Sequence, residues 1–275
     1  MPAKVVHLNG RLVEPAEATI SLLDPGYLLG VGVFATMRAD DGVCFRPEAH
    51  LALLARGASA LDLPVPADLV TTADEVARLV GGQARVRVTI SATACSVIGE
   101  EMQVPSAEDR ARGVAIVSIG PRRAADEGAF KSTSYVRQVM ARADATRRGA
   151  AEGLQLASDG AVSGATMANV FLRTGNVLAT PSLTSGCRPG VTRAAVMELA
   201  PYFGLRVEER RVERAELRAA DEVFLTSTRV GRLPVGSLDE EPVGTGEMAA
   251  ALHDALEALI ARERAVRSRD TRQSP

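Results

Sequence analysis

The sequence contains little lysine: of its 32 basic residues only two, Lys4 and Lys131, are lysines, and the other 30 are arginines. The 34 acidic residues leave a formal net charge of -2, a balance that excludes a generally basic nucleic-acid binder. The 46% of hydrophobic residues excludes an acidic disordered chain. No apolar run reaches the ~18 residues that a membrane span requires, and the first residues lack the apolar core of a secretion signal. The composition therefore predicts a soluble, cytoplasmic protein.

Cysteine, histidine and aromatic residues are also scarce. The three cysteines are far apart and form no CxxC pair, which argues against a disulfide scaffold or a zinc knuckle. The three histidines are equally scattered, so no metal site is expected. With no tryptophan and only 3% aromatic residues, the core must consist of Leu, Val, Ala and Ile.

The scarcity of lysine directs attention to Lys131. Where arginine serves as well, this chain uses arginine, so an internal lysine can mark a position that arginine cannot fill. A desolvated lysine can lose its proton and form a Schiff base, whereas arginine stays protonated. The alternative from position alone is a solvated lysine at the start of a helix. Lys4, with no motif around it, is expected to be an ordinary surface lysine.

The hydrophobic pattern predicts an α+β fold of two domains. The polar, turn-rich segment 120–130 separates a domain 1–119 from a domain 131–262, and the charged tail 263–275 is expected to fray. Predicted strands lie at 5–8, 12–13, 33–38, 43–46, 85–94, 114–119, 154–157, 169–173, 177–180, 205–208 and 222–226. Predicted helices lie at 47–61, 68–80, 135–148, 191–203 and 245–261, and a short helix is predicted between the strands 205–208 and 222–226.

Two further segments suggest an anion site. Pro189–Arg193 opens a helix, where consecutive backbone N–H groups and a threonine hydroxyl favour an anion. Thr226–Thr228 offers three hydroxyls at the end of an apolar strand. Either segment can instead serve only as a helix cap. Together with a Schiff-base lysine, they suggest a phosphorylated aldehyde cofactor. The glycines near Gly30 superficially resemble a dinucleotide fingerprint, but a strand follows where a helix would be needed.

The order of these motifs resembles the class IV aminotransferase family, over roughly residues 5–240. That family uses pyridoxal 5′-phosphate and includes branched-chain and D-amino-acid aminotransferases and aminodeoxychorismate lyase. The resemblance implies two domains with the cofactor between them, and a homodimer. It rests on His7–Gly10, Gly30–Arg38, His50–Leu54, Lys131–Tyr135, Ala168–Phe171, Thr180–Pro181, Pro189–Arg193 and Ala220–Thr228.

The resemblance also implies roles for individual residues. Lys131 matches the lysine that binds the cofactor aldehyde as an aldimine and acts in catalysis, and Tyr135 matches a tyrosine beside the cofactor's phenolic oxygen. Thr36 matches a threonine proposed to help catalysis in the lyase. The positions matching phosphate-binding residues are Val191, Thr192 and Thr228, and those matching substrate-carboxylate contacts are Arg38 and Arg87.

Two departures from the family pattern weaken the cofactor site. Gly164 stands where the family has the glutamate that pairs with the pyridine nitrogen, so the ring would be a poorer electron sink. Leu53 stands where the family has an arginine that binds the phosphate. Arg56, about one helical turn later, is a candidate replacement for that arginine.

Three functional hypotheses follow for a small-molecule substrate, with neither nucleic acid nor membrane as a partner. The first is a pyridoxal-phosphate enzyme acting on the amino group of a small amino acid or keto acid through Lys131. A variant of it is aminodeoxychorismate lyase, which eliminates pyruvate and yields 4-aminobenzoate. The second is an enzyme that has lost the cofactor and uses Lys131 directly on a carbonyl. The third is a non-catalytic homologue that only binds a ligand.

Overall fold

A computed structural model of the protein describes residues 5–123 and 130–273. Contacts within the chain divide it into two units. Unit 1 comprises Met1–Gln103, Phe130–Tyr135 and Ala258–Pro275, and unit 2 comprises Val104–Ala129 and Val136–Glu257. Lys4 and part of the predicted linker, 124–129, lie outside the described residues.

Unit 1 is built on a six-stranded antiparallel sheet in the order β2-β1-β6-β5-β3-β4. The first hairpin turns at Asn9 and Gly10, whose positive φ angles of 48° and 84° suit a tight two-residue turn. The strands are β1 (Val5–Leu8), β2 (Arg11–Val13), β3 (Gly32–Asp40), β4 (Val43–Cys44), β5 (Gln83–Ser91) and β6 (Cys95–Glu101).

Two helices of unit 1, α2 (Pro47–Ala60) and α3 (Leu69–Val80), cover one face of this sheet, and the short α1 (Pro25–Leu29) precedes β3. Alternate residues of β3 and β5, such as Met37 and Val86, are fully buried in one aliphatic cluster with Leu54 of α2 and Val76 of α3. Because side chains alternate along a strand, the intervening residues, among them Thr36, Arg38 and Arg87, lie on the opposite face.

Unit 2 is built on a nine-stranded mixed sheet in the order β12-β11-β10-β13-β14-β7-β8-β9, with β15 paired to β14. Its strands are β7 (Val114–Arg123), β8 (Glu152–Ala157), β9 (Val162–Ala165), β10 (Asn169–Thr174), β11 (Val177–Pro181), β12 (Arg206–Arg210), β13 (Glu222–Ser227), β14 (Gly231–Leu238) and β15 (Glu241–Pro242). Its helices are α4 (Ala107–Arg112), α5 (Val136–Arg147), α6 (Val191–Leu199) and α7 (Arg214–Ala219), and α8 (Glu247–Gln273) begins in this unit and ends in unit 1.

Two helices of unit 2, α5 and α6, begin at or next to predicted site residues. Helix α5 follows Tyr135 directly in the chain and packs on β7 and β8, where its Ala141 and Ala145 share a cluster with Ile119. Helix α6 packs against β13. Its buried Arg193 donates to the carbonyl of Pro181 at 3.0 Å and to Glu209 at 2.6 Å, which anchors the first turn to neighbouring strands.

All six predicted helices are present, the short one as α7, and each predicted strand overlaps an observed one. The prediction missed β6, β9, β14, β15, α1 and α4. Strands β6 and β9 each follow a predicted strand after a tight turn, so no long polar break separates them. The predicted domain limits stay a prediction, although β7 runs through Arg123 and so occupies the start of the predicted linker.

The tail from 263 is helical through Gln273 rather than frayed. Ion pairs tie this end of α8 to other parts of unit 1: Glu263 to Arg46 at 2.7 Å, and Arg267 to Asp74 at 2.8 Å. The sequence showed only alternating charges there, because the partners are about 200 residues away in the chain. Within 5–123 and 130–273, no helix is both long and apolar enough to cross a membrane.

Candidate active site

Lys131 lies on a short extended segment that pairs with the start of β3. The backbone N–H of Phe34 donates to the Lys131 carbonyl at 2.9 Å, and the N–H of Thr133 donates to the Gly32 carbonyl at 2.8 Å. Between these bonds, Ser132 forms an antiparallel bridge with Val33. The lysine is therefore positioned by the sheet of unit 1 and does not occupy the first turn of a solvated helix.

The ring of Phe34 is the centre of the candidate site in unit 1. The guanidinium carbon of Arg87 lies 3.7 Å from the ring centroid, and Lys131 Nζ lies 5.6 Å from it. The ring of Tyr135 meets the same ring edge to face at 5.1 Å. Two cations and a phenol thus surround one aromatic side chain, an arrangement that cation–π attraction favours.

Arg87 carries a positive charge that no carboxylate of the described residues neutralises. Burial lowers its pKa, the charge of Arg85 lowers it further, and Tyr135 opposes the shift. Its Nε donates to the Thr89 hydroxyl at 3.2 Å. In the part of the chain that the structure describes, no Asp or Glu oxygen lies within 4.0 Å of its guanidinium nitrogens. A half-buried guanidinium without a counter-ion is a favourable site for a carboxylate ligand.

Arg38 lies on the same face but differs in its electrostatics. Its Nε and one terminal nitrogen bind both oxygens of Asp40, at 2.8 and 3.1 Å. Gln83 also donates to Asp40 at 3.0 Å. Both members of the ion pair are buried. Asp40 therefore neutralises the charge of Arg38, whereas the charge of Arg87 can attract a ligand carboxylate.

Thr36 lies on β3, two residues before Arg38 and directly opposite Arg87 of β5. Its side chain is half-buried. Directly opposed residues of antiparallel strands point to the same face, with Cβ atoms about 5 Å apart. Its hydroxyl thus belongs to the surface that carries Phe34 and Arg87.

His50 is buried on α2, and the charge of Lys131 affects its pKa. Burial and then the positive charge of Lys131 lower the pKa of His50 to about 3. The imidazole is consequently neutral at physiological pH. His50 stands within one of the family-like motifs, but no role was predicted for it, because burial and neighbouring charge are not visible in a sequence.

In unit 2 the predicted anion site is the start of α6. Gly190 is the N-cap and supplies no side-chain hydrogen bond to the first turn. The first N–H groups of a helix have no acceptor within it, and the dipole makes this end attractive to anions. Val191 and Thr192 are buried there, and Thr228 is half-buried just after β13.

Asn169 holds the turn before α6 in place. Its side-chain nitrogen donates to the carbonyl of Arg188 at 2.8 Å. Its oxygen lies so close to Gly190 that a Cβ there would collide with it. Thr226, directly opposite Asn169 in the sheet, is fully buried, and its hydroxyl has no hydrogen-bond partner within 5–123 and 130–273. Asn169 stands within one of the family-like motifs, but its contact with the turn before α6 is not predictable from the sequence.

The positions that depart from the family pattern are visible in the fold. Gly164 has φ of +143° on β9, a conformation that residues with a side chain rarely adopt. A Cβ at Gly164 would meet only the Ala168 carbonyl, at 3.4 Å, and nothing else within 4 Å. The Leu53 side chain is half-buried and Arg56 is exposed on α2.

The predicted residues thus form two groups. Five lie in unit 1, on or beside the sheet face around Phe34, and three lie in unit 2, around the start of α6 and the end of β13. The first group is Lys131, Tyr135, Thr36, Arg38 and Arg87, and the second is Val191, Thr192 and Thr228.

Comparison with known proteins supplies the family. Residues 32–238 match the model of the amino-transferase class IV family. The aminodeoxychorismate lyase of Bacillus subtilis (strain 168) is 30% identical, with 94% of each chain covered. The solved branched-chain amino acid aminotransferase of Escherichia coli superposes with a TM-score of 0.88 at 27% identity, covering 94% of this chain and 95% of that one. The branched-chain amino acid aminotransferase of T.th., solved with pyridoxamine 5′-phosphate, gives 0.85 at 25% identity, with 94% of each chain covered. The chain therefore belongs to the amino-transferase class IV family.

Proposed function

We propose that this protein is a pyridoxal-phosphate-dependent enzyme that transfers the amino group between a small amino acid and a keto acid. The observation that carries the proposal is the arrangement in unit 1, in which Lys131 and the un-neutralised Arg87 flank the same Phe34 ring. Such a reaction requires an amine that binds the cofactor and a cation that binds the substrate carboxylate.

The residues present fit the cofactor. Lys131 supplies the amine, and Tyr135 lies close enough to Phe34 to share its surroundings. In unit 2 the start of α6, with Thr192 and Thr228, fits a phosphate because the helix end has no side-chain cap. The buried hydroxyl of Thr226 beside this turn has no hydrogen-bond partner among the described residues, so it can still bond a ligand.

The chemistry divides between the cofactor and the chain. Pyridoxal phosphate, when bound, withdraws electrons and so stabilises negative charge at the substrate Cα. Lys131 Nζ would hold the cofactor, and the same amine is placed to accept the substrate Cα proton. Arg87 binds the substrate carboxylate and so fixes the Cα–H bond relative to the lysine.

Arg87 is a better candidate than Arg38 for that carboxylate. A carboxylate at Arg38 would have to compete with the buried, two-point contact of Asp40. At Arg87, among the residues that the structure describes, it would compete with the neutral Thr89 hydroxyl. The substrate-binding role predicted for Arg38 stays a prediction, and its contact with Asp40 also gives it a structural role.

Aminodeoxychorismate lyase is the second candidate, and Thr36 favours it. This hydroxyl lies opposite Arg87 on the same face, where it can assist proton transfer near a bound carboxylate. The two reactions differ in products. The lyase releases pyruvate and 4-aminobenzoate from aminodeoxychorismate, whereas a transaminase converts an amino acid to its keto acid and leaves the cofactor aminated.

Absorbance tests the proposal directly. Purified protein supplied with pyridoxal phosphate is expected to show the visible band of the lysine-bound cofactor, to lose it with borohydride, and to lose it in Lys131→Ala. Turnover in Lys131→Ala should fall by at least about a thousandfold. Lys131→Arg is the matched control, since it keeps the charge but cannot form a Schiff base.

A colourless protein that takes up no pyridoxal phosphate would contradict the proposal. The remaining hypotheses would then apply: an enzyme that uses Lys131 directly, or a homologue that only binds a ligand. Incubation with a panel of amino acids, followed by assay for keto acid, pyruvate and 4-aminobenzoate, separates the transaminase from the lyase.

We also propose that the protein is a homodimer, as the family resemblance implies. Six large apolar side chains within ten consecutive residues of unit 1 are between 51% and 80% exposed, and exposed apolar clusters of this kind often mark protein–protein contacts. They are Ile20, Leu22, Leu23, Tyr27, Leu28 and Leu29. Sedimentation equilibrium should give twice the chain mass of 28.9 kDa, and a monomer at micromolar concentration would contradict this. The cytoplasmic location stays a prediction.

A further inference from the structure

Unit 1 contains a cavity of about 430 Å³, and none of the predicted site residues lines it. Ile90 of β5 and Cys95 of β6 lie directly opposite each other in its lining. Both pack in the aliphatic cluster beneath α2 and α3, whereas Thr36 and Arg87 lie on the other face of the sheet. Small-molecule sites usually enclose about 300–1,000 Å³, so this cavity on the helix-covered face is large enough for a ligand.

The walls of the cavity are mostly apolar, and internal contacts hold them in place. One side is the segment Pro64–Pro66, from the loop between α2 and α3, where the two prolines fix φ. On another side, Asn9 ties down the turn between β5 and β6. Its side-chain oxygen accepts from the Cys95 N–H at 2.8 Å, and its nitrogen donates to the Thr93 carbonyl at 3.4 Å. Binding of a ligand therefore requires little ordering of the protein.

Asp68 places a negative charge in the lining of this cavity. It is the N-cap residue of α3, but its side chain makes no hydrogen bond to the first turn. Within 5–123 and 130–273, no Lys, Arg or His nitrogen lies within 4.0 Å of its carboxylate, and no Lys or Arg lines the cavity. The other titratable residues of the lining are His7 and Cys95. Burial, and after it the charge of Asp68, raises the pKa of Cys95 to about 11, so this thiol is neutral at physiological pH. The lining therefore has the sign of charge that attracts a cation.

We propose that this cavity binds a small organic cation with an apolar body, whose charged group lies beside Asp68. The apolar body covers the walls and so removes apolar surface from water, while a ligand of negative charge is repelled by the same carboxylate. The hydroxyls of the lining contribute less, since those of Ser91 and Thr93 already donate to the buried Asp24. Lys131 does not line the cavity, so the inference goes beyond the proposed function and does not depend on it.

Fluorescence anisotropy of an indole ligand measures this binding directly, because the protein has no tryptophan. The probe is N,N,N-trimethyltryptammonium, whose charge is permanent and whose nitrogen cannot form a Schiff base with pyridoxal phosphate. The comparison ligand is 3-(3,3-dimethylbutyl)indole, in which carbon replaces the charged nitrogen. Asp68→Asn should weaken binding of the cation by about two- to fivefold, the range for a solvent-accessible charge pair, and should leave the affinity for the neutral ligand unchanged. Asp62→Asn is the matched control, since Asp62 is exposed on the same loop but does not line the cavity, and it should change neither affinity.

Reaction of Cys95 with N-ethylmaleimide, followed by peptide mass spectrometry, locates the bound probe in the wild-type protein. A saturating concentration of the cation should slow this reaction by at least about fivefold, because the thiol lies in the lining and reacts only where it is accessible. Cys44 and Cys187 are buried, and any reaction of theirs should not change. This measurement keeps the inference testable even where a variant fails to fold.

Three results would each overturn the inference: no binding of the cation at about 1 mM, binding that leaves Cys95 unprotected, or equal losses of affinity in Asp68→Asn and Asp62→Asn. Each of them would leave the proposed function intact, because neither measurement involves Lys131.

Discussion

The two units present their candidate functional groups in different ways. In unit 1 the groups are side chains on one polar sheet face, and their properties depend on which charges are neutralised, as the contrast between Arg87 and Arg38 shows. In unit 2 the groups are mainly backbone: an uncapped helix end, a close approach at Gly190 and a glycine on β9. A change of charge should therefore dominate the effect of substitutions in unit 1, and a change of shape should dominate in unit 2.

This difference also bears on Leu53, which departs from the family pattern. If the start of α6 binds the phosphate as proposed, its helix N–H groups do not depend on one cationic side chain, so Leu53 in place of an arginine would remove one contact and leave the helix end.

The largest effect on stability is expected at the buried ion pair of unit 1. Arg38→Leu leaves Asp40 buried without its cation, which should cost about 3–5 kcal/mol of unfolding free energy. The double variant Arg38→Leu/Asp40→Leu should recover most of that loss, since no uncompensated charge remains. Urea unfolding measures both. If Arg38→Leu were as stable as the wild type but failed to bind substrate, Arg38 would be a substrate-binding residue of the same kind as Arg87.

Arg87→Leu should act on substrate binding and much less on stability. A charge-assisted bond to a carboxylate contributes about 1.5–3 kcal/mol, so KM should rise by about ten- to a hundredfold. Absorbance of the bound cofactor should be retained, because the lysine is unchanged. Equal loss for a substrate and for its carboxamide analogue would show that Arg87 does not recognise the carboxylate.

Gly190→Ala tests the backbone character of the site in unit 2. The added Cβ would displace the Asn169 side chain and weaken its bond to the Arg188 carbonyl. Affinity for inorganic phosphate and for pyridoxal phosphate should fall by about five- to tenfold, roughly the value of one hydrogen bond. Gly120→Ala is the matched control, since a Cβ there meets nothing within 4 Å. Similar losses in both variants would indicate a general effect of glycine replacement.

The smallest effect near neutral pH is a pH dependence in unit 1, which grows only as the solution is made acidic. The pKa of His50 is about 3 in the folded protein, against about 6.5 when unfolded. Below 6.5 the unfolded chain binds a proton that the folded chain excludes, so stability falls as pH decreases from about 6.5 to 3. One such group contributes at most about 1.4 kcal/mol per pH unit. His50→Leu should flatten this part of the profile, measured by urea unfolding of cofactor-free protein.

Lys131→Met supplies the control for that profile. Removing the lysine charge should raise the pKa of His50 and so narrow the pH range of the effect, without abolishing it, because burial is the larger cause. An unchanged profile in His50→Leu would show that other groups determine the acid sensitivity.

The family and the α+β fold predicted from the sequence are confirmed. Long periodic segments such as α2 and α3 were predicted to within one or two residues, since their pattern is local. Strands that follow a tight turn were missed, as was the helical end of α8, because its partners are distant in the chain. For the site, the motif order predicted the residues but not their electrostatics: Arg38 and Arg87 look equivalent in the sequence, and only the pairing with Asp40 distinguishes them.

The amino-acid sequence by itself determined the identity of the family and the position of its lysine, because the order of motifs and the rarity of lysine are properties of a linear chain. Only the tertiary structure decided which arginine keeps an unused charge and why His50 is neutral. Both depend on burial and on strand register, which bring together residues that the chain keeps apart.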